Sequence, residues 1–536
     1  VYPLIIFPVF QKVNKKFACF FLFFSFIIGL RKWNSNKLIK KSRLLQSVKS
    51  GGFAYPHRFH AFLFPLFPAS FLLQTKGVFV MNNTKNKLAD IPIRPLLYTM
   101  AVPLMLSLLV QSLYNIVDSI FIARLSETAL TATSLVYSIQ FLMIAIGVGT
   151  AVGLNTLLSK KIGQHKIDEA CQTATTGLFL MLATALIFSL VGIFFSNVIA
   201  QNMTPEPELQ ELCRQYLSIN LVYCEGIFLQ TYGQRLLQAV GDTVLSMFSL
   251  IIGAILNIIL DPIMIFGLFG CPAMGIRGAA IATVIGQIAG AISALLFNRF
   301  KNPLIHVRFR GYRFNWQDVR DIYRVGLPTI VMQAIGSLMT FAVNHLLLEI
   351  STTAVAFFGI YYKLQNFLMM PINGLGQAGI PIVGYNYGAK NISRIRKTWQ
   401  ILLPTGAGLA LCGTVLFWLF PAQLLTLFSA NAQMLALGIP ALRIISVSFV
   451  FASITILCGY FASGLGNGVV NMISAGIRQF VLLIPCLSFL IRTIGLSHAW
   501  YAFWIAEVFA CAYSFTSSHR LLKTTINACS NNSAHK

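Results

Sequence analysis

Residues 128–159 have the sequence TALTATSLVYSIQFLMIAIGVGTAVGLNTLLS and contain no Asp, Glu, Lys or Arg. A membrane-spanning helix needs about 20 consecutive apolar residues, so this stretch is long enough to cross a bilayer. Other long uncharged stretches occupy residues 170–205, 398–442 and 444–477. The short alternating segments typical of a β-barrel are not seen in the sequence. The sequence therefore predicts an all-α polytopic membrane protein.

The composition favours the same fold class. Of the 536 residues, 56% are hydrophobic and 10% are charged, against about 25% charged in an ordinary soluble domain. This excludes a soluble globular enzyme, a disordered chain and a coiled coil. A net charge of +25 would suggest nucleic acid as the partner of a soluble protein, but membrane proteins concentrate Lys and Arg in cytoplasmic loops. We therefore expect a lipid bilayer, and no nucleic acid, as partner.

The sequence lacks the common motifs of catalysis and cofactor binding. It has no GxxxxGKS or GxxxxGKT phosphate loop, so ATP does not drive the chain directly, and it has no HExxH or serine nucleophile motif. The ten cysteines are scattered and form no CxxC pair, which argues against a disulfide framework and a metal cluster. We predict that the chain is not an enzyme and binds no cofactor.

Apolar segments recur after residue 95, and their lengths predict twelve membrane spans. Each half of the chain holds six spans, an even number, so both halves would have the same orientation in the membrane. We number the predicted spans 1 to 12 in chain order as 96–121, 130–157, 172–196, 212–235, 244–268, 277–298, 326–348, 354–381, 399–420, 436–462, 469–491 and 497–518.

The two halves match at a constant offset of 225 residues. The equivalent pairs include Pro103 and Pro328, Ser112 and Ser337, Tyr137 and Tyr362, Gln140 and Gln365, Gly149 and Gly374, Gly163 and Gly388, and Gly241 and Gly466. Apolar residues often match by chance, whereas proline, glycine, glutamine and tyrosine do so more rarely. The repeat indicates a transporter of two six-helix lobes related by a pseudo-two-fold axis along the membrane normal, with its site within or between the lobes.

These patterns predict the domain organisation and the orientation. The parts are a basic N-terminal extension at 1–80, a first lobe at 90–300, a cytoplasmic linker with an interfacial helix at 301–325, a second lobe at 326–520 and a cytoplasmic tail at 521–536. Fifteen Lys and Arg residues, Arg235 among them, fall in loops on one side of the membrane, against Arg124, Arg277 and Arg492 on the other. Because positive loops stay inside, both termini should be cytoplasmic.

Residues 1–80 carry twelve Lys or Arg residues and no acid. The apolar run 17–30 is too short to span a bilayer comfortably, and no small-residue cleavage site follows it. Three interpretations remain open: a basic targeting or membrane-surface segment, an interfacial anchor, or upstream sequence that is not part of the native protein. We favour the third, because Met81 opens a polar segment, MNNTKNKLADIPIR, that suits the start of a membrane protein.

Four acidic residues lie inside the predicted spans: Asp118, Glu225, Asp261 and Glu507. Ionisable groups at membrane depth are costly, so each is a functional hypothesis. At the offset of 225, the first three correspond to apolar residues of the second half. We therefore predict an ion site in the first lobe that the second lobe lacks. Asn257 precedes Asp261 by four residues and thus lies on the same helix face.

Two carboxylates with amide and hydroxyl oxygens suit a hard cation such as Na⁺, or a shared proton. The alternative is a structural polar cluster that holds the helices together. We favour an ion site at Asp118 and Asp261 and leave the roles of Glu225 and Glu507 open. Lys363 in span 8 reaches an aqueous cavity or pairs with an acid, and the sequence does not distinguish the two.

Three motifs resemble the multidrug and toxic compound extrusion (MATE) family. They are Tyr114-Asn115-Ile-Val-Asp118-Ser-Ile-Phe, Asn257-Ile-Ile-Leu-Asp261-Pro262 with the following segment from Pro272 to Thr283, and Pro381-Ile-Val-Gly-Tyr-Asn386-Tyr-Gly388-Ala-Lys. The resemblance covers roughly residues 90–520. It implies twelve helices in two six-helix lobes and a secondary antiporter that expels cationic, amphipathic drugs in exchange for H⁺ or Na⁺.

The resemblance also implies site residues. The family positions that carry the coupling ion match Asp118, Asn257 and Asp261 and, less closely, Thr283 and Tyr216. A Na⁺ at the first three is the one metal ion that we predict. The expected substrate cavity consists of Gln111, Tyr114, Asn115, Tyr137, Gln287, Gln333, Tyr362 and Lys363. Span 10 has no acid and span 7 has only Glu349 near its end, which argues against a second-lobe coupling site.

The combined prediction is a monomeric, multi-pass multidrug antiporter of a bacterial inner membrane, coupled to H⁺ or Na⁺. The alternative is a lipid-linked or polysaccharide precursor flippase of related architecture, which should have a cationic cavity with Lys363 as its main candidate. A non-transporting receptor or scaffold is disfavoured by the repeat and by the acids at membrane depth.

Overall fold

The computed structural model describes residues 86–426, 428 and 431–534, which are almost entirely helical. The first half contains Lys87–Asp90, Ile93–Leu125, Glu127–Gly163, Ile167–Met203, Pro207–Val222, Glu225–Ala239, Thr243–Phe266, the 3₁₀ turn Leu268–Gly270 and Ile276–Lys301. The second half contains Trp316–Leu348, Thr352–Gly388, Ile392–Leu419, Pro421–Thr426, Ala432–Ser446, Ser448–Gly464, Val469–Gly476, the π-helix Ile477–Leu483, Ile484–Ile494, Leu496–Ala499 and Tyr501–Ala534. The predictions for residues 1–80 lie outside the described residues.

Most of the predicted spans are long apolar helices. Nine helices of the described ranges are long and apolar enough to cross a membrane, and a tenth is added if Ala432–Ser446 and Ser448–Gly464, bent by 47°, form one span. Span 4 is divided between Pro207–Val222 and Glu225–Ala239, of 16 and 15 residues, each too short to cross alone. Span 12 is the helix Tyr501–Ala534. The helical fold class is confirmed.

The helix boundaries repeat at the same offset as the sequence. Glu127–Gly163 and Thr352–Gly388 begin and end 225 residues apart, and so do the starts of four later pairs or their near equivalents. These starts are Ile167 and Ile392, Pro207 and Ala432, and Ile276 and Tyr501. The breaks in spans 4 and 10 also fall at nearly equivalent points, after Val222 and after Ser446. The internal repeat is therefore a property of the fold as well as of the sequence.

The second half of the predicted linker differs from our expectation. Trp316–Leu348 is one continuous helix, so span 7 begins about ten residues earlier than predicted and no separate interfacial helix precedes it. Asn315 caps this helix by accepting a hydrogen bond from the backbone N–H of Gln317. Val319 and Ile322 are buried, because they pack into the bundle and not against a membrane surface. The predicted tail is likewise a continuation of span 12 through Ala534.

The two lobes approach each other most closely at the ends that carry the basic loops. Gly163 at the end of span 2 packs against the backbone of Tyr385, and Gly388 at the end of span 8 packs against the backbone of Lys160. A Cβ atom on Gly388 would lie 2.9 Å from the carbonyl carbon of Lys160 and closer still to its oxygen. Gly163 and Gly388 are equivalent in the repeat, so each lobe contributes one such contact.

Polar contacts tie the same ends together. The Lys161 ammonium donates to both carboxylate oxygens of Asp318, at 2.8 and 3.0 Å, and the Thr173 hydroxyl donates to that carboxylate as well. Arg235, which the sequence analysis placed in a loop, is instead buried in the helix Glu225–Ala239. Its Nη1 donates to Gln377 of the other lobe at 3.1 Å. Removal from water is tolerated here because amide oxygens accept from the guanidinium.

Toward the opposite end the lobes separate. Residues 149–163 of span 2 are almost all buried, whereas several side chains of 131–142 are exposed. Tyr137 is 55% exposed although it lies close to Tyr362 of the other lobe. The cleft between the lobes therefore opens away from the basic loops.

Candidate functional site

Asp118 and Asp261 meet inside the first lobe. Asp118 lies near the end of span 1, and Asp261 lies in span 5, which packs against it. Their carboxyl groups are within hydrogen-bonding reach of each other. Asp261 is fully buried and Asp118 is half-buried toward the cleft. The structure thus brings together the two acids that the sequence analysis placed in one site.

Asn257 and Thr283 complete this cluster from spans 5 and 6. The Asn257 amide nitrogen donates to Asp261 Oδ1 at 3.2 Å and lies 3.4 Å from the Thr283 hydroxyl oxygen. The spacing of four residues places Asn257 one helical turn from Asp261. Span 6 approaches because Gly253 and Gly286 allow the two backbones to pack closely. Small residues at such contacts are typical of helix packing in membranes.

Three buried oxygens of the cluster have no hydrogen-bond donor among the described residues: Asp118 Oδ1, Asn257 Oδ1 and Asp261 Oδ2. All three are acceptors, and two belong to carboxyl groups that face each other. Buried acceptors without a partner are costly, and two facing carboxylates repel unless a positive charge lies between them. This donor set fits a proton or a hard cation such as Na⁺, which prefers oxygen ligands. Groups of three or more His, Cys, Asp or Glu side chains able to hold a metal do not occur in the described ranges.

Two tyrosines border the carboxyl pair. Tyr216 of span 4 is buried, lies close to both carboxyl groups and hydrogen-bonds with Gln140 of span 2. Tyr114 of span 1 lies close to both carboxyl groups and hydrogen-bonds with Gln111. The five predicted ion-site residues therefore surround one point of the first lobe. Their role in ion coupling stays a prediction.

The predicted cavity residues are more dispersed. Gln111, Tyr114 and Tyr137 lie around the first-lobe cluster, and Asn115 is exposed on span 1. The remaining four residues occupy separate places: Gln287 packs beside Gly226, Gln333 donates to the Ala145 carbonyl, Tyr362 lines a cavity of the second lobe, and Lys363 is exposed. Sequence position alone does not give the rotation of each helix, so a shared cavity for all eight is not seen.

Of the two acids left open, Glu225 is bound within the first lobe. It stands at the break in span 4 and accepts a hydrogen bond from the Ser189 hydroxyl at 2.9 Å. Glu507 pairs with Arg478 in the second lobe at 3.3 Å. The sequence analysis did not single out Arg478, although its place between two long apolar segments was the signal that would have identified it.

Comparison with known proteins is consistent with this arrangement. The MatE family profile matches residues 103–263 and 328–487. The multidrug export protein MepA of Staphylococcus haemolyticus (strain JCSC1435) is 27% identical over 418 residues, which cover 77% of this chain and 90% of that protein. MepA of Staphylococcus aureus (strain MRSA252) is 25% identical over 411 residues, covering 76% and 89%.

Solved structures share the fold. A MATE structure in complex with MaL6 has a TM-score of 0.78 at 23% identity, covering 83% of this chain and 99% of that one. A MOP superfamily transporter from Pyrococcus furiosus has a TM-score of 0.76 at 23% identity, covering 82% and 99%. The two matches of the family profile begin 225 residues apart and together cover more than half of the sequence. The chain belongs to the MatE family.

Proposed function

We propose that this chain is a secondary active multidrug efflux antiporter that exports cationic, amphipathic compounds in exchange for H⁺ or Na⁺. The carrying observation is the pair of facing carboxyl groups, Asp118 and Asp261, with three buried oxygens around them that have no donor among the described residues. Family membership and the MepA relatives, which are named multidrug export proteins, support the substrate class.

The carboxyl pair provides the coupling chemistry. A proton or Na⁺ between Asp118 and Asp261 removes their mutual repulsion and satisfies the free oxygens. Without that ion the pair is anionic and attracts a cationic drug in the adjoining cleft. Ion and drug then favour different states of the same lobe, which is the requirement for exchange.

Asp118 links this chemistry to movement. It lies on span 1, which packs against span 8 of the other lobe, where Gly374 contacts Met105. A change of charge at Asp118 shifts the preferred position of span 1 and with it the contact between the lobes. The cleft opens at one end in this structure, so alternating access requires the contacts of Gly163 and Gly388 to open.

The same proposal includes location and assembly. The chain is a multi-pass membrane protein with apolar helices throughout the described ranges. We propose that both termini are cytoplasmic, because the basic loops lie at the closed end of the lobes, and that the transporter acts as a monomer. The flippase alternative is not favoured: the relatives are named multidrug exporters, and the buried Arg478 is neutralised by Glu507.

Drug resistance of cells that express variants tests the proposal. Asp118→Asn keeps the shape of the side chain but removes its charge, so resistance to ethidium should fall to the level of cells without the protein. Glu225→Gln is the matched control, because glutamine still accepts from Ser189, and it should retain resistance. Membrane levels of both variants are compared by immunoblot. Wild-type resistance in Asp118→Asn at equal expression would defeat the mechanism.

A further inference from the structure

A second polar cavity lies in the other lobe, between spans 7, 8, 10, 11 and 12. Its volume is about 220 Å³. It contains the ion pair between Arg478 Nη1 and Glu507 Oε1, at 3.3 Å. Both residues line the cavity together with Gln479. None of these groups belongs to the first-lobe site.

The local backbone makes room for this pair. Ile477–Leu483 is a π-helix, and it includes Arg478 and Gln479. Such widened turns are frequent at functional sites. At the offset of 225, Arg478 and Glu507 correspond to Gly253 and Ala282 of the first lobe. There a Cβ atom on Gly253 would lie 2.6 Å from a backbone oxygen of span 6, so the equivalent space is filled by packed helices.

The chemistry of the cavity calls for a hydrogen-bond donor. Glu507 Oε1 accepts from Arg478, but Glu507 Oε2 and Gln479 Oε1 are buried with no partner among the described residues. Glu507 is 6% exposed and Gln479 is 7% exposed. Both free atoms are acceptors, and one belongs to a carboxylate, so the matching ligand group carries N–H donors and a positive charge. An anion is disfavoured because the guanidinium that would attract it is already paired.

The walls suit the apolar part of such a ligand. They contain three methionines and three aromatic residues: Met332, Met339, Met369, Tyr362, Tyr460 and Phe503. Methionine adapts to different shapes, and aromatic faces attract cations. Pockets for drug-sized ligands usually measure about 300–1,000 Å³, so this smaller cavity accommodates the amine-bearing end of a drug.

We propose that this cavity is a second-lobe binding site for the protonated amino group of transported amines, with Glu507 and Gln479 as its acceptors. The inference rests on the proposed function, since it concerns which drugs the transporter prefers. It predicts that a protonated tertiary amine, which has an N–H donor, depends on Glu507. A quaternary ammonium of the same skeleton has no donor and does not.

Transport of a matched pair of compounds tests this site. Chlorpromazine, a tertiary amine, and its N-methyl quaternary derivative are each followed in proteoliposomes that contain the full chain. In Glu507→Gln we expect KM for chlorpromazine to rise about tenfold, which corresponds to about 1.4 kcal/mol, while KM for the quaternary compound stays within about twofold. Glu225→Gln, an acid in the first lobe, should leave both values near wild type.

Gln479→Met keeps the side-chain size and removes the other acceptor, so it decides the matter if Glu507→Gln does not fold. It should raise KM for chlorpromazine about threefold and leave the quaternary compound unaffected. Equal shifts for the two compounds, or no shift in either variant, would overturn the site. Equal shifts with an altered response to the ion gradient would assign Glu507 to coupling instead. Failure of the proposed function is distinct, because wild-type protein would then move neither compound.

Discussion

Replacement of Gly388 by alanine should open the contact between the lobes. Gly388 and Gly359 lie in the same helix, Thr352–Gly388. A Cβ atom on Gly388 would lie 2.9 Å from the Lys160 carbonyl carbon, whereas one on Gly359 meets nothing within 4 Å. Carbon atoms prefer about 3.5–4.0 Å, so span 8 must move away from span 2 by roughly 1 Å or more. Gly359→Ala is therefore the matched control.

The size of the effect follows from overpacking. Inserting a methyl group into a well-packed contact costs about 1–3 kcal/mol, and each 1.4 kcal/mol is about tenfold in an equilibrium constant. The closed end should therefore open roughly 5- to 150-fold more often in Gly388→Ala. Backbone strain does not contribute, because Gly388 is not among the residues with positive φ in the described ranges.

Amide hydrogen exchange measures this opening directly, since exchange rates follow the free energy of local opening. In lipid nanodiscs, the segments 158–166 and 385–392 should exchange at least about fivefold faster in Gly388→Ala than in wild type. Segments at the far end of spans 2 and 8 should not change, and neither should any segment of Gly359→Ala. Wild-type exchange at 158–166 in Gly388→Ala would refute the reasoning that this glycine contact holds the lobes together.

Two further variants test other contacts. Asp318→Asn leaves the Lys161 ammonium buried without its partner, so the free energy of unfolding should fall by about 3–5 kcal/mol, seen as a lower Tm; Lys166→Gln, which breaks only an exposed pair, should cost about 1 kcal/mol or less, and equal Tm values would contradict this account. Tyr216→Phe removes the hydroxyl that bonds Gln140 beside the carboxyl pair, a loss of about 1 kcal/mol, so initial dye efflux should slow about fivefold, and an unchanged rate would remove Tyr216 from the site.

The fold was largely predictable from the sequence because apolar length and repetition are local properties. Gly163 and Gly388 matched at an offset of 225, and the structure places them in equivalent contacts. The start of span 7 was less accessible. Trp316 to Arg324 is rich in charge, and only the packing of Val319 and Ile322 shows that it continues the membrane helix.

The first-lobe cluster was also predictable in outline. Asp118 and Asp261 are acids in apolar helices, and their loss from the second half singled out one lobe. Arg478 escaped prediction because the repeat comparison looked for acids that were lost and not for charges that were gained. Its partner Glu507 is 29 residues away on another helix, and helix rotation decides whether two such side chains meet. The same lack of rotational information dispersed the predicted cavity residues.

Ion-driven movement of a cationic dye tests the central claim most directly. Proteoliposomes that contain the full chain are loaded with ethidium, and a pH gradient or a Na⁺ gradient is imposed in parallel samples. The account predicts dye movement under one of the two gradients, and loss of that movement in Asp118→Asn. Movement under neither gradient, with folded protein, would contradict a drug–cation antiporter.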